Sequence, residues 1–275
     1  MNRLQLAKDL SAIENGSMSN LYENIDGLIV AITGPPGVGK SCLIDSILHR
    51  LTPNNTVGVL AVDPTSAISG GALLGDRIRM SVLDDEIKSD YIYFRSVATR
   101  SSSGSVPSII RQLACHLLDN EFDIVIIETV GAGQSEMRCA AVADRIIVVE
   151  GPVRGDLIQA EKAGLIELAD IIVVNKCDLD GAEKVVNELS ISLNIGDEPP
   201  PICKASAHTG EGVESLVELM LNISPRKSSK RARARERLFM AHENKIVENP
   251  LLDDILDRIC QEELSIEEGL GKLYE

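Results

Sequence analysis

The chain of 275 residues carries 42 acidic and 27 basic side chains, which gives it a formal net charge of −15 at pH 7. This charge would repel a polyanion, so the composition argues against general nucleic-acid binding. Hydrophobic residues make up 44% of the chain, but aromatic residues make up only 3%, and there is no Trp. Aliphatic side chains must therefore fill the core, which favours buried parallel strands covered by helices.

The N-terminus and the cysteines indicate the cellular compartment. The sequence has no apolar N-terminal segment of signal-peptide length, and no segment long enough to span a bilayer. Its six cysteines are scattered, mostly within apolar segments, and none forms a C-x-x-C pair. We therefore expect a cytoplasmic protein with reduced, buried thiols, no membrane partner, and neither a zinc site nor a disulfide framework.

Strands and helices are expected to alternate along the chain. Aliphatic runs predict strands at 28–32, 57–62, 91–95, 123–129, 145–149, 171–174 and 201–205. Helical patterns predict helices at 42–51, 107–118, 156–168 and 212–221. This alternation, with short loops between the elements, predicts an α/β fold with a doubly wound, mostly parallel sheet.

Both ends of the chain are predicted to be helical. We divide the sequence into a short N-terminal helical extension over 1–24, an α/β domain over 25–225 and a short C-terminal helical extension over 226–275. The C-terminal extension could pack on the domain or on a second subunit. The segment 225–237 is strongly basic but contains no aromatic residue. We interpret it as a solvated helix whose arginines pair with acidic neighbours, rather than as a nucleic-acid site.

The segment 34–41 reads G-P-P-G-V-G-K-S and matches the phosphate-loop spacing G-x-x-x-x-G-K-[ST]. It lies between a predicted strand and a predicted helix, so backbone N–H groups and a helix dipole converge on one point that suits a polyphosphate. Lys40 would reach the outer phosphates, and the Ser41 hydroxyl would ligate Mg²⁺. The alternative is a chance glycine turn, which does not account for the lysine and the serine. The predicted nucleotide-binding residues of this segment are Gly34, Pro36, Gly37, Val38, Gly39, Lys40, Ser41 and Cys42.

A second motif, N-K-C-D at 175–178, follows a buried strand and matches N-K-x-D. The Asp178 carboxylate can accept hydrogen bonds from N1–H and N2–H₂ of guanine, a donor pair that adenine lacks. We therefore predict GTP or GDP rather than ATP as the ligand. Asn175 can hold the loop and the base, and the Lys176 stem can lie along the purine. The backbone of Ser206 and Ala207, at the next strand end, would contact the purine O6. The alternative is a strand that ends in a polar turn.

Mg²⁺ binding and hydrolysis require acidic groups near the γ-phosphate. The candidates are Asp63, Asp76 and Glu128. Asp63 could instead be a simple turn residue before proline. Glu128 ends a very apolar strand, where a carboxylate rarely serves packing. Gly131 would then donate its backbone N–H to the γ-phosphate.

Several segments are similar to the MeaB/ArgK family, the GTPases that accompany cobalamin-dependent acyl-CoA mutases such as methylmalonyl-CoA mutase. They include V-L-A-V-D-P-T-S, F-R-S-V-A-T-R, V-I-I-E-T-V-G-A-G-Q-S-E and N-K-C-D-L, in order along residues 25–225. The resemblance implies a P-loop NTPase fold of the SIMIBI type. It also implies a homodimeric GTPase that gates cobalamin loading of its mutase partner and protects that enzyme.

The resemblance further assigns residue roles. It implies catalytic roles for Lys40, Asp63, Glu128, Gln159 and Lys162. It implies Mg²⁺ ligands at Ser41, Asp63, Asp76 and Glu128, and it places Gln134 in the second switch. Without the family, Gln159 and Lys162 would be interpreted as an exposed helix face.

Two other functions use the same nucleotide-binding core. One is a nickel-inserting metallochaperone, which needs clustered ligands; the four histidines, at 49, 116, 208 and 242, are dispersed and no cysteine pair exists. The other is a P-loop kinase, against which the guanine-reading motif and the lack of an acceptor-binding signature argue.

Overall fold

The computed structural model describes residues 2–18, 26–64, 80–99, 109–129, 137–138, 141–152, 160–193, 198–247 and 249–274. Within these ranges the strands are β1 (Leu28–Thr33), β2 (Val57–Pro64), β3 (Ile92–Thr99), β4 (Ile124–Glu128), β5 (Arg145–Glu150), β6 (Ile171–Val174) and β7 (Ile202–Lys204). Each predicted strand is present. β3 continues to Thr99, four residues beyond the predicted end, because its backbone stays paired with β2 through Pro64.

The strands form one sheet in the order β3-β2-β4-β1-β5-β6-β7, and every neighbouring pair is parallel. The prediction of a doubly wound parallel sheet is confirmed. β1 lies between β4 and β5: the connection after β1 leads to β2 on one side of it, and the connection after β4 leads to β5 on the other side. In such sheets the carboxyl ends of the strands around this point form a crevice that accepts ligands.

Helices cover both faces of the sheet. The α-helices of the described ranges are α1 (Arg3–Glu14), α2 (Lys40–Leu51), α3 (Ile110–Asp119), α4 (Ala160–Leu168), α5 (Ala182–Leu193), α6 (Val213–Asn222), α7 (Lys227–Val247), α8 (Leu252–Cys260) and α9 (Ile266–Leu273). Buried residues of α1, α3, α4 and α5 share one hydrophobic cluster, and those of α2 and α6 share the other. These two clusters are the two sides of the sheet, and they fix α2 directly beside α6.

Helix α7 contains most of the basic segment, and the segment is anchored at the amino-terminal ends of β5 and β6. Arg233 is only 4% exposed and donates to both carboxylate oxygens of the fully buried Asp170, at 2.7 Å to Oδ1. Arg237 Nε donates to the Ala141 carbonyl at 2.6 Å, and Arg226 Nε donates to the Ala169 carbonyl at 3.0 Å. The expected pairing with an acidic residue is therefore found for Arg233. The expectation of a solvated helix is wrong for Arg233, because guanidinium groups of α7 bind a buried carboxylate and backbone carbonyls.

We expect the substitution Arg233→Ala to destabilise the fold by about 3–5 kcal/mol, because it leaves the buried Asp170 carboxylate without its counterion. The free energy of unfolding in urea measures the effect. Arg235→Ala is the matched control on the same helix, since Arg235 is half-exposed and its ion-pair partner among the described residues is the neighbouring Glu236, at 3.5 Å. Its expected cost is within about 0.5 kcal/mol. Equal stability of the two variants would contradict the anchoring role.

The cysteines are more exposed than expected. Cys115 is buried, but Cys42 and Cys260 are exposed, and all five cysteines in the described part of the chain are free thiols. The expectation of buried thiols is thus wrong for Cys42 and Cys260, which lie on the outer faces of α2 and α8; Cys139 lies outside the described residues. Burial raises the pKa of the Cys115 thiol. In the described ranges, no helix combines the length and the apolar character needed to cross a bilayer.

Candidate nucleotide site

The phosphate loop connects β1 to α2, as the sequence predicts. Gly34 has φ +143°, and a Cβ there would lie 2.1 Å from the Val149 carbonyl oxygen of β5. Gly39 has φ +91°, and a Cβ there would lie 2.7 Å from the Asn175 side-chain nitrogen. Both positions require glycine, because a side chain would collide with the neighbouring strand or with Asn175. The loop is therefore held tightly against β5 and the end of β6.

Lys40 is the first residue of α2, and its side chain folds back into the loop. It is only 8% exposed, and its Nζ donates to the Gly34 carbonyl at 2.6 Å and to the Pro35 carbonyl at 3.2 Å. The ammonium group thus lies in the middle of the loop, at the amino-terminal end of the helix, where anionic phosphate oxygens are favoured.

Ser41 and Glu128 lie together at the carboxyl end of the sheet. Glu128 ends β4 beside Ile32 of β1, and it is 5% exposed. The Ser41 hydroxyl donates to Glu128 Oε1 at 2.6 Å. The sequence predicted a metal-binding role for each residue but could not show their contact, which follows from the parallel pairing of β1 and β4. A hydroxyl and a carboxylate are the hard oxygen donors that Mg²⁺ prefers.

Asn175 follows β6 and joins three segments of the site. It is 1% exposed. Its Nδ2 donates to the Val38 carbonyl at 2.9 Å, and its Oδ1 accepts from the Ala207 backbone N–H at 3.2 Å. The neighbouring Lys176 has φ +60° and donates from Nζ to the Gly37 carbonyl at 2.8 Å. The two residues connect the phosphate loop to the loop after β7.

Asp178 is exposed, and its carboxylate lies beside the buried Ser206. The hydrogen bond from the Ser206 side chain lowers the pKa of the Asp178 carboxyl below its ordinary value. The Ser206 hydroxyl also accepts from the Thr209 backbone N–H at 3.1 Å. Ser206 therefore favours the ionised form of Asp178, which is the form that accepts two hydrogen bonds from guanine.

Several predicted site residues lie outside the described part of the chain. These are Asp76, Gly131, Gln134 and Gln159. Asp63 is the second-last residue of β2 and Lys162 lies in α4, but only their backbones are described. Pro36 and Cys42 are exposed at the loop and at the start of α2. Within the described ranges, no group of three His, Cys, Asp or Glu side chains is arranged to hold a metal ion.

Sequence reasoning did not find two polar contacts behind the site. Thr129 Oγ1 donates to Thr33 Oγ1 at 2.8 Å, where β4 and β1 end, and both residues are buried. Ser46 of α2 donates to the Ala207 carbonyl at 2.8 Å. The sequence signal for these two contacts is weak: each donor is a polar residue that interrupts an apolar element next to a motif.

The fold and the loop define a P-loop nucleotide-binding protein. The chain belongs to the family described as methylmalonyl Co-A mutase-associated GTPase MeaB, whose family model matches residues 19–263. This confirms the resemblance inferred from the sequence.

Two relatives illustrate the range of the family. A protein of Pyrococcus horikoshii whose name describes a GTPase is 43% identical over 199 residues, which are 69% of this chain and 62% of that protein. The methylmalonic aciduria type A homolog of Mus musculus is 35% identical over 200 residues, which are 70% of this chain and 48% of that protein. The match thus spans about half to three fifths of the length of these relatives.

Two solved structures share the fold. A crystal structure of LAO/AO transport system kinase has a TM-score of 0.59 and 21% identity, and the match covers 100% of this chain and 98% of that one. HypB from Helicobacter pylori in complex with nickel has a TM-score of 0.52 and 15% identity, over 79% of this chain and 94% of that one. At these identities the likeness concerns the fold alone.

Proposed function

We propose that this chain binds GTP with Mg²⁺, hydrolyses it to GDP and phosphate, and serves a cobalamin-dependent acyl-CoA mutase of the methylmalonyl-CoA mutase type. In this role it gates the loading of the cobalamin cofactor and protects the mutase. The observation that carries the proposal is the position of Asn175. Its side chain ties the phosphate loop to the loop that contains Ser206 and Ala207, so one nucleotide can contact the phosphate-binding and guanine-reading residues together.

Each residue of the proposed site has a chemical task. Lys40 binds the outer phosphates, and the backbone of Gly37, Val38 and Gly39 surrounds them. Asp178 accepts from N1–H and N2–H₂ of guanine, which selects this base against adenine because adenine would leave the carboxylate unpaired. The Ala207 backbone faces the purine O6, and Gly131 donates to the γ-phosphate.

The donor set fits Mg²⁺. Ser41 and Glu128 supply a hydroxyl and a carboxylate that already touch, at 2.6 Å. Asp63 and Asp76 are the further proposed ligands, and Gln159 and Lys162 are proposed to act in hydrolysis once the partner is engaged. When bound, Mg²⁺ neutralises the negative charge of the phosphate oxygens during hydrolysis.

Steady-state release of phosphate from GTP tests the function. We expect slow hydrolysis by the protein alone and a rate several-fold higher when methylmalonyl-CoA mutase is added. The Lys40→Ala variant, purified in the same way, controls for contaminating GTPases. A rate that no cobalamin-dependent mutase changes would contradict the proposed partner. Transfer of the labelled phosphate to an acceptor, instead of its release, would indicate the kinase alternative.

We also propose that the protein is a homodimer in which the C-terminal helices form the contact. Leu238 and Phe239 of α7, Leu256 of α8, and Ile266 and Leu270 of α9 expose between 45% and 75% of their surface. Apolar exposure of this kind is typical of an interaction surface. Sedimentation of the purified protein over a range of concentrations tests the proposal, and a monomer at every concentration would contradict it.

A further inference from the structure

Ser46 lies on α2, one and a half turns after the phosphate loop, and its hydroxyl does not bond within its own helix. In helices a serine commonly donates to the carbonyl four residues earlier. Ser190 and Ser192 of α5 do so, at 2.8 Å to Val186 and 2.9 Å to Glu188. Ser46 instead donates at 2.8 Å to the carbonyl of Ala207, 161 positions further along the chain. The contact is therefore a specific link between two parts of the nucleotide site.

This hydrogen bond completes the fixation of the Ala207 backbone. On one side of Ala207, the N–H donates to Asn175 Oδ1 at 3.2 Å. On the other side, the carbonyl accepts from Ser46. The two peptide groups that flank the Ala207 Cα are thus held by different elements, so neither can rotate without breaking a hydrogen bond. Their orientation sets where the backbone of this loop meets the purine edge.

The rest of the loop is also held from α2. Arg50, four residues after Ser46 and hence on the same face of the helix, places its Nη2 only 2.8 Å from where a Gly210 Cβ would lie. Its Nε is 3.6 Å from Glu214 Oε2 at the start of α6. The loop from Ala205 to Gly212 therefore rests against the same rigid helix that begins at Lys40.

We propose that Ser46 is a positioning residue for purine recognition. It holds the Ala207 backbone beside the purine O6. Because it lies on α2, it also fixes the distance between the loop from Ala205 to Gly212 and the phosphate loop. The inference rests on the proposed guanine site at Asp178 and Ala207. It gives a residue of α2 that belongs to neither the phosphate-loop motif nor the N-K-C-D motif a role in base selection.

Two GTP analogues separate the contacts. 6-Thio-GTP keeps N1–H and the 2-amino group but replaces O6 by sulfur, a weaker acceptor, so its binding relative to GTP reports the Ala207 contact. ITP keeps O6 and N1–H but lacks the 2-amino group, so its binding relative to GTP reports the Asp178 contact. Competition against a fluorescent GDP measures both ratios for each variant.

For Ser46→Ala we expect GTP affinity to fall about three- to tenfold, the loss typical of one hydrogen bond. The preference for GTP over 6-thio-GTP should shrink, while the preference for GTP over ITP and the rate at saturating GTP stay unchanged. Ser46→Thr retains the hydroxyl and should restore both affinity and preference. Ser190→Ala removes a similar serine-to-carbonyl bond on α5 and should leave every value at wild type.

Three outcomes would overturn the inference: a Ser46→Ala variant that matches Ser190→Ala, a loss of GTP affinity with an unchanged GTP to 6-thio-GTP ratio, or no rescue by threonine. An Asp178→Asn variant, measured in parallel, distinguishes a failure of the inference about Ser46 from a failure of the proposed guanine site. If the GTP to ITP preference survives in Asp178→Asn, the proposed guanine site itself is wrong. If that preference collapses while Ser46→Ala changes nothing, only the role of Ser46 is wrong.

Discussion

The Asp178→Asn variant is expected to bind XTP in preference to GTP. The wild-type carboxylate offers two acceptor oxygens to the N1–H and N2–H₂ donors of guanine. Asparagine offers one acceptor and one donor, a pair that matches N1–H and the C2 carbonyl of xanthine. Two hydrogen bonds to a charged group, at about 1.5–3 kcal/mol each, are disturbed, so GTP affinity should fall by about 10²- to 10⁴-fold.

The lowered pKa of Asp178 predicts how GTP affinity responds to pH. Because the Ser206 hydrogen bond lowers that pKa below its ordinary value, the carboxylate stays ionised as pH falls through the mildly acidic range. Protonation of Asp178 should therefore not weaken GTP binding by the wild-type protein at neutral and mildly acidic pH.

Competition of GTP, XTP and ATP against a fluorescent nucleotide measures the exchange of specificity. Asp180→Asn is the matched control, since Asp180 is an exposed aspartate only two residues further along the chain. It should bind GTP like the wild type. Wild-type protein that binds ATP as well as GTP, or an Asp178→Asn variant that keeps its preference for GTP, would contradict the assignment of the base site.

The Lys40→Ala variant is expected to lose nucleotide affinity by about 10²-fold or more while it keeps its fold. The lysine ammonium lies inside the phosphate loop, within 2.6 Å of the Gly34 carbonyl and 3.2 Å of the Pro35 carbonyl. Charge-assisted hydrogen bonds from this position to phosphate oxygens contribute about 1.5–3 kcal/mol each. Removal of the ammonium eliminates them for GTP and GDP alike.

Isothermal titration with GTP and GDP measures the loss, and thermal unfolding of the free protein verifies the fold. Lys88→Ala is the control, because Lys88 is a half-buried lysine that, like Lys40, donates to a backbone carbonyl, that of His49 at 3.3 Å. Near-wild-type nucleotide affinity in Lys40→Ala would place the phosphates elsewhere on the protein.

The sequence was sufficient for the sheet and the motifs because both depend on local pattern. The buried strands are unbroken aliphatic runs, and the phosphate loop has a spacing that few other structures require. The contact of Ser41 with Glu128 could not be predicted, because it depends on the pairing of β1 with β4. The contacts of Asn175 with Val38 and Ala207 could only be expected in outline, because their partners lie more than 30 residues away.

The arginines of α7 show where the reasoning failed. In sequence, a basic run with few apolar residues has the composition of a solvated helix. Its partners are a carboxylate 63 residues earlier and carbonyls 57 to 96 residues earlier, and no local pattern encodes them. Charge alone therefore predicted the acidic partner of Arg233 but not its burial.

The anchoring of α7 also bears on the order in which the protein is completed during synthesis. The ribosome makes α7 after the seven strands of the described sheet, yet its arginines bind carbonyl and carboxylate groups just before β5 and β6. A nascent chain, or an expressed fragment, that stops at residue 225 would contain the whole nucleotide site. Its buried Asp170, however, would still lack Arg233. The sheet that holds the nucleotide is thus closed from below by a segment that is synthesised only after all of its strands.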